Sequence, residues 1–187
     1  MIKACFLLLI LTGLASTYIG ESFWKKVYNG VPEDGHNPVV FRDHPVDSDG
    51  YVDENKQLAY YLHSTPDNHA GYFGMTYLKG ESLCATFNVN NTLLDTCSNF
   101  RILHHSYDTK GFFALVNTLE EEATKDAVGY YDIYATLLID PTSGSSFYGS
   151  LSFSCTEAFA INNDKMIVNY VGSEMIAENN YYVTFKL

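Results

Sequence analysis

The sequence predicts an all-β domain, an antiparallel barrel or sandwich of about eight strands with one or two short helices. Short apolar runs recur along the chain and are rich in β-branched and aromatic residues, as is typical of strands. Clusters of Gly, Pro, Asn and Asp separate these runs at short intervals, as expected of turns. Aromatic residues make up 15% of the chain, a content that excludes a disordered protein.

Residues 1–15 are predicted to form a secretory signal peptide rather than a buried N-terminal strand. Lys3 precedes a short apolar run, and the small residues Gly13 and Ala15 follow it, which are the three parts of such a signal. The run is shorter than the roughly 20 residues that cross a bilayer, and no later segment reaches that length without a charge or a turn residue. We therefore expect residues 16–187 to form one secreted, extracellular domain without a membrane span.

The first predicted element after the signal peptide is helical. Ser22–Tyr28 is predicted to form a short helix or helical turn that ends at Asn29-Gly30. The next twenty residues are rich in Pro, Gly, Asp and His and predict an irregular loop. Leu58–His63 is the first predicted strand of a mostly β region.

Two hairpins are predicted in the central part of the chain. Gly71–Leu78 and Ser82–Val89 flank Lys79-Gly80, a plausible tight turn. A second predicted hairpin pairs residues 99–104 with residues 111–116 across the turn 107–110. Later, Thr118–Glu121 forms a capping box that predicts a short helix over 119–127. The remaining predicted strands cover residues 130–139, 147–153, 166–171 and 181–185.

The chain is acidic, with a formal net charge of −11. Removal of Lys3 with the signal would make the charge slightly more negative. A polyanion such as nucleic acid would be repelled, so nucleic-acid binding is disfavoured. Cationic ligands, Ca²⁺ and basic proteins are compatible with this charge, although it also serves solubility.

Export would leave three cysteines, Cys84, Cys97 and Cys155, which favours one disulfide in an oxidising compartment. Cys84 and Cys97 are close in sequence and could staple a hairpin. Cys97–Cys155 would instead connect distant strands. Either pairing leaves one cysteine outside the disulfide, and the sequence does not decide between the two pairings.

Asn90-Asn91-Thr92 is a glycosylation sequon on a predicted loop. In a protein exported from a eukaryotic cell, we expect Asn90 to carry sugar.

One part of the chain resembles a lipocalin. Residues 102–108 lead into the strand 112–116 and then into the long aromatic strand 130–138, while Trp24 is similar to the lone tryptophan of that family. The resemblance implies a closed barrel that encloses a small ligand. The chain departs from the family pattern at Ser106, and residues 147–153 alternate like a strand where a long helix is expected. The last seven residues also resemble the final strand of a tumour-necrosis-factor-like jelly roll, but too few residues follow Tyr130 for that topology.

Aromatic residues on the predicted strands are the candidate ligand contacts. In a barrel, alternate members would line the interior and enclose an apolar or amine ligand. In a closed sandwich, the same side chains would only fill the core. The candidates are Tyr61, Phe73, Tyr77, Phe113, Tyr131 and Tyr134.

An acidic segment around Gly50 is the candidate metal site. Asp47, Asp49 and Asp53 alternate as in a Ca²⁺ loop, where carboxylate oxygens surround the ion. A full EF-hand is excluded, because its first ligand position falls on Pro45 and its last on Lys56. The segment therefore predicts either a looser Ca²⁺ site or an ordinary solvated turn.

No catalytic motif is recognisable. The chain has no nucleophile elbow, and its six histidines do not have the spacing of a zinc site. We therefore predict no enzymatic activity and no cofactor other than Ca²⁺. The leading hypothesis is a secreted lipocalin-like protein that binds a small hydrophobic or cationic ligand. The alternative is a secreted β-sandwich that acts through contacts with an extracellular protein, as a matrix component, toxin or host-directed effector.

Overall fold

A computed structural model describes residues 21–42, 44–47, 49–65, 68–105, 110–117, 126–130, 133–172, 176 and 178–186. These residues form two antiparallel sheets of seven strands each. The sheets do not close into a barrel, so the predicted all-β fold is confirmed and takes the form of a sandwich. The predicted signal peptide lies outside the described residues.

The N-terminal half of the chain forms the first sheet, with the spatial order β2-β1-β7-β3-β4-β5-β6. Strand β6 lies at one edge of this sheet. Its strands are β1 (Trp24–Tyr28), β2 (Val31–Pro32), β3 (Leu58–Thr65), β4 (Asn68–Lys79), β5 (Ser82–Val89), β6 (Thr92–Thr96) and β7 (Phe100–Leu103).

The C-terminal half forms the second sheet, with the order β13-β12-β11-β10-β14-β8 and with β9 beside β10. Strand β13 lies at one edge of this sheet. Its strands are β8 (Phe112–Asn117), β9 (Gly129–Tyr130), β10 (Ile133–Ile139), β11 (Ser146–Ser152), β12 (Glu157–Ile161), β13 (Ile167–Val171) and β14 (Asn180–Lys186). No helix among the described residues is long and apolar enough to cross a membrane.

The main core lies between the two sheets and is rich in aromatic rings. Trp24 packs against Tyr60 and Phe73, with ring centroids 5.4 and 6.2 Å apart. Across the interface, the backbone N–H of Phe73 donates to Ser150 Oγ at 2.9 Å. This buried hydrogen bond connects β4 to β11, so the two sheets are held by polar contacts as well as by apolar burial.

A second apolar cluster lies on the opposite face of the first sheet. It includes Val27, Phe87 and Ile102, each fully buried. Beside this cluster, the turn after β1 reaches β5 and the residue that follows β6. The backbone N–H of Gly30 donates to Cys97 O at 2.5 Å, and the carbonyl oxygen of Gly30 accepts from Leu83 N at 2.9 Å. A Cβ at Gly30 would lie 2.5 Å from Ser82 Cβ, so this approach requires glycine.

The predicted helix over Ser22–Tyr28 is wrong. A short 3-10 turn, Glu21–Phe23, precedes strand β1. Trp24 and Val27 are both buried, and the first four residues of β1 pair antiparallel with β7. Tertiary pairing therefore decides the conformation of a segment whose local pattern is ambiguous.

The first predicted hairpin is confirmed and the second is wrong. Strands β4 and β5 pair antiparallel, with Lys79 opposite Ser82. Strands β7 and β8 instead belong to different sheets, since β7 pairs with β1 and β3 while β8 pairs with β14. The predicted helix over 119–127 falls mostly outside the described residues.

Candidate binding cleft between the two sheets

Two hairpins meet where the edges of the sheets come together. The β5–β6 hairpin belongs to the first sheet and the β12–β13 hairpin to the second. Between them is a cleft of about 390 Å³, within the size range of small-molecule sites. We call it the side cleft, and it is lined by Tyr72, Asn88, Asn90, Asn91, Glu157, Ala158, Phe159, Asn169, Tyr170 and Val171.

A chain of asparagine side chains bridges the two hairpins in the side cleft. Asn88 Nδ2 donates to Asn169 Oδ1 at 3.1 Å, and Asn169 Nδ2 donates to Asn91 Oδ1 at 3.2 Å. Asn88 is only 2% exposed, and its Oδ1 has no donor among the described residues. A buried acceptor without a donor costs about 1–3 kcal/mol. A ligand that brought an N–H or O–H group to this atom would remove that cost.

The turn between β5 and β6 fixes the rim of the side cleft. Asn90 and Asn91 form a two-residue loop, and both have positive φ, 51° and 60°. Asparagine is favoured in such turns, because it tolerates this backbone region well. Tyr72 Oη donates to Asn90 Oδ1 at 2.9 Å. The orientation of the Asn90 amide is thus tied to the wall of the cleft.

Aromatic side chains and one carboxylate complete the lining. Tyr72 and Tyr170 are buried, Phe159 is half-buried and Glu157 is exposed. Burial raises the pKa of Tyr170 to about 12, and Asp140 contributes to the shift. Its phenol therefore stays neutral and donates to Ile139 O at 3.0 Å. Aromatic faces beside a carboxylate attract cationic groups.

An ionic contact joins the same two hairpins farther along β6. Lys165 Nζ lies 2.5 Å from Asp95 Oδ2 and 4.4 Å from the centroid of the Tyr77 ring. Tyr77 Oη donates to Asp95 Oδ1. Partial burial tends to raise the pKa of Asp95, but hydrogen bonds from Lys165 and Tyr77 outweigh burial and lower it overall. We call these three residues the clamp.

We expect the Lys165→Met substitution to lower the free energy of unfolding by about 0.2–1 kcal/mol at pH 7, because the clamp is partly exposed. Asp95 has a lowered pKa in the folded state, so its contribution is present above the reference pKa of 3.8 and is lost as the pH falls through the folded value. Urea denaturation at pH 7 and pH 2 measures the difference. The difference should be smaller at pH 2 than at pH 7, and the Lys110→Met control should show none at either pH. An equal loss at both pH values would contradict the electrostatic role.

The five predicted ligand-contacting aromatic residues that the structure describes are distributed over different parts of the fold. Phe73 is buried in the main core. Phe113 packs against the rings of Phe23 and Phe185 at 5.6 and 5.0 Å, and Tyr134 packs against the same core. These side chains occupy the environment expected of core residues in a sandwich.

Two of the other three candidates lie elsewhere. Tyr61 contacts Phe87 in the second cluster, with centroids 5.6 Å apart. Tyr77 belongs to the clamp, and Tyr131 lies outside the described residues. None of the five described candidates lines the side cleft.

The acidic segment forms a hydrogen-bonded turn. Asp47 Oδ1 accepts from the backbone N–H groups of Asp49 and Tyr51, each at 3.0 Å. The Tyr51 contact makes the largest contribution to a lowered pKa of Asp47. Asp53 Oδ1 accepts from Asn55 N at 2.9 Å. In the described ranges, no three His, Cys, Asp or Glu side chains are placed to hold a metal, and the Ca²⁺ site stays a prediction.

The cysteines adopt the first of the two predicted pairings. Cys84 and Cys97 form a disulfide across the β5–β6 hairpin, which carries three of the four asparagines of the side cleft. Cys155 is buried, and its Sγ lies 3.1 Å from Tyr182 Oη.

Together, the fold and the side cleft define a disulfide-stapled β-sandwich with a polar and aromatic cleft at the junction of its sheets. Neither protein-family models nor curated protein sequences provide a match to this chain. No lipocalin or other family is thereby identified.

Proposed function

We propose that this chain is a secreted, non-catalytic binding protein that holds a small amine with an apolar group in the side cleft. The observation that carries the proposal is Asn88 Oδ1, a buried acceptor in the cleft without a donor among the described residues. An ammonium group donates up to three hydrogen bonds. It would satisfy this acceptor and relieve the cost of leaving it unpaired.

Charge and lining favour a cation over a neutral ligand. Glu157 lies at the cleft, and the whole chain carries a net charge of −11, which attracts cations at long range. Tyr72 and Phe159 offer apolar and aromatic surface for the rest of the ligand. The predicted export signal supports an extracellular setting.

The proposal is tested by calorimetric titration with benzylamine, using benzyl alcohol as the neutral control. Native protein should bind the amine more tightly than the alcohol. The Asn88→Leu variant should lose about tenfold or more in amine affinity, since a hydrogen bond to a charged group contributes about 1.5–3 kcal/mol. Circular dichroism establishes that the variant is folded.

Two further variants sharpen the test. Glu157→Gln removes the exposed carboxylate at the cleft, so it should weaken binding of benzylamine but not of benzyl alcohol. Asn163→Leu changes an exposed asparagine that does not line the cleft, and it should leave both affinities unchanged. Equal amine affinity in native and Asn88→Leu protein, or no binding at all, would overturn the proposal.

A second candidate is binding of an extracellular protein through the edge strand β13. Met166, Ile167 and Val171 on and beside this strand are exposed. Exposed apolar edge strands are templates for pairing with another chain. If β13 binds a partner protein, Ile167→Lys should abolish the complex without changing benzylamine affinity. Chemical cross-linking measures the complex, and calorimetry measures the affinity.

A further inference from the structure

The glycosylation sequon and the side cleft coincide at one position of the fold. Asn90 and Thr92 are both exposed at the tip of the β5–β6 hairpin, where a modifying enzyme could reach them. Asn90 is also part of the cleft lining. A sugar on this residue would therefore begin at the rim of the cleft.

Hydrogen bonding leaves the reactive atom of this amide available. Asn90 Oδ1 accepts from Tyr72 Oη, whereas Asn90 Nδ2 has no acceptor among the described residues. N-linked sugar attaches at Nδ2. Because Tyr72 holds the amide against the cleft wall, the first sugar would start from a fixed position beside the cleft.

The lining of the side cleft is suited to a sugar. Hydroxyl groups can donate to Asn88 Oδ1, which has no donor of its own among the described residues. The rings of Tyr72 and Phe159 offer flat apolar surface to the C–H faces of a sugar ring. The sugar and an amine would thus compete for the same acceptor and the same walls.

We propose that a glycan on Asn90 covers the side cleft and limits the entry of its ligand. This inference rests on the proposed export and on the proposed amine site. In the transfer, Nδ2 forms a bond to C1 of the sugar, while the bond from C1 to the pyrophosphate of a lipid-linked oligosaccharide breaks. The amide proton leaves as the lipid pyrophosphate departs.

The experiment uses the full chain secreted from a eukaryotic host. Thr92→Ala removes the sequon but keeps Asn90 and its contact with Tyr72, and Thr92→Ser keeps the sequon as a matched control. Peptide mass spectrometry should find sugar on Asn90 in native and Thr92→Ser protein and none in Thr92→Ala. An unmodified Asn90 in native protein would overturn the inference.

Benzylamine affinity then measures the effect of the glycan on the cleft. Thr92→Ala should bind about tenfold more tightly than the glycosylated protein, because a tethered competitor acts at an effective concentration in the millimolar range. Tyr72→Phe keeps the sequon but releases the Asn90 amide, so it should recover part of this affinity. A glycan on Asn90 with equal affinity in native and Thr92→Ala protein would overturn the inference.

Hydrogen exchange separates this inference from the proposed function. If no form of the protein binds benzylamine, the proposed function fails. Hydrogen exchange in β12 and β13 then tests whether the glycan covers the cleft. The backbone amides of these two strands should exchange more slowly in the glycosylated protein than in the Thr92→Ala protein. Equal exchange in these two strands would overturn the covering role.

Discussion

Replacing both Cys84 and Cys97 by alanine is expected to lower the free energy of unfolding by about 3 kcal/mol, as for a cross-link that closes a loop of about 15 residues. The two cysteines are separated by 13 positions, and the disulfide joins the strands of the β5–β6 hairpin. Without it, the unfolded chain gains conformational freedom. Urea denaturation of native and double-variant protein measures the change.

Reductant provides the control for this effect. Reductant should lower the free energy of unfolding of the native protein by a similar amount and leave that of the double variant unchanged. Affinity for benzylamine should also fall in the double variant, because the same hairpin holds Asn88 and Asn90 at the side cleft. A native protein whose stability is insensitive to reductant would contradict the stapling role.

Truncation of Phe73 is expected to have an effect of similar or greater size. Phe73→Ala should cost about 3–5 kcal/mol, since it opens a cavity beside Trp24 and Tyr60 in the main core. The matched control, Phe112→Ala, removes a ring that is 55% exposed and should change stability by less than about 0.5 kcal/mol. Chemical denaturation of both variants measures the difference.

The Phe73 variant also separates two roles that the sequence leaves open for this residue. If Phe73 only fills the core, the folded fraction of Phe73→Ala should bind benzylamine with native affinity. A stable variant that has lost amine binding would instead place Phe73 in the ligand site. The side cleft would then not be the binding site.

The elements of the fold that can be predicted are those that depend on residues close together in the sequence. The β4–β5 hairpin follows from two alternating runs and the tight turn between them, all within about twenty residues. Trp24–Tyr28 carries apolar residues that suit a helix or a strand, and its pairing with β2 and β7 decides the outcome. The neighbouring strands β7 and β8 go to different sheets, a choice that depends on partners distant in sequence.

The side cleft depends on contacts that no local pattern reveals. Asn88 and Asn169 are 81 residues apart, and their hydrogen bond exists only because two edge hairpins meet. The sequence does identify Asn90, because a sequon and a turn are local features. The alternation of aromatic residues predicts burial of Phe73 but does not show whether it faces a cavity or a filled core.

The most direct test of the amine site is a nuclear magnetic resonance titration of the isotope-labelled Thr92→Ala variant with benzylamine, since this variant should have an open cleft. The side-chain amide signals of Asn88 and Asn169 and the backbone signals of Glu157 and Phe159 should shift in proportion to occupancy. Signals from the main core should stay in place. Shifts centred on the main core, or no shifts at saturating amine, would contradict an amine site in the side cleft.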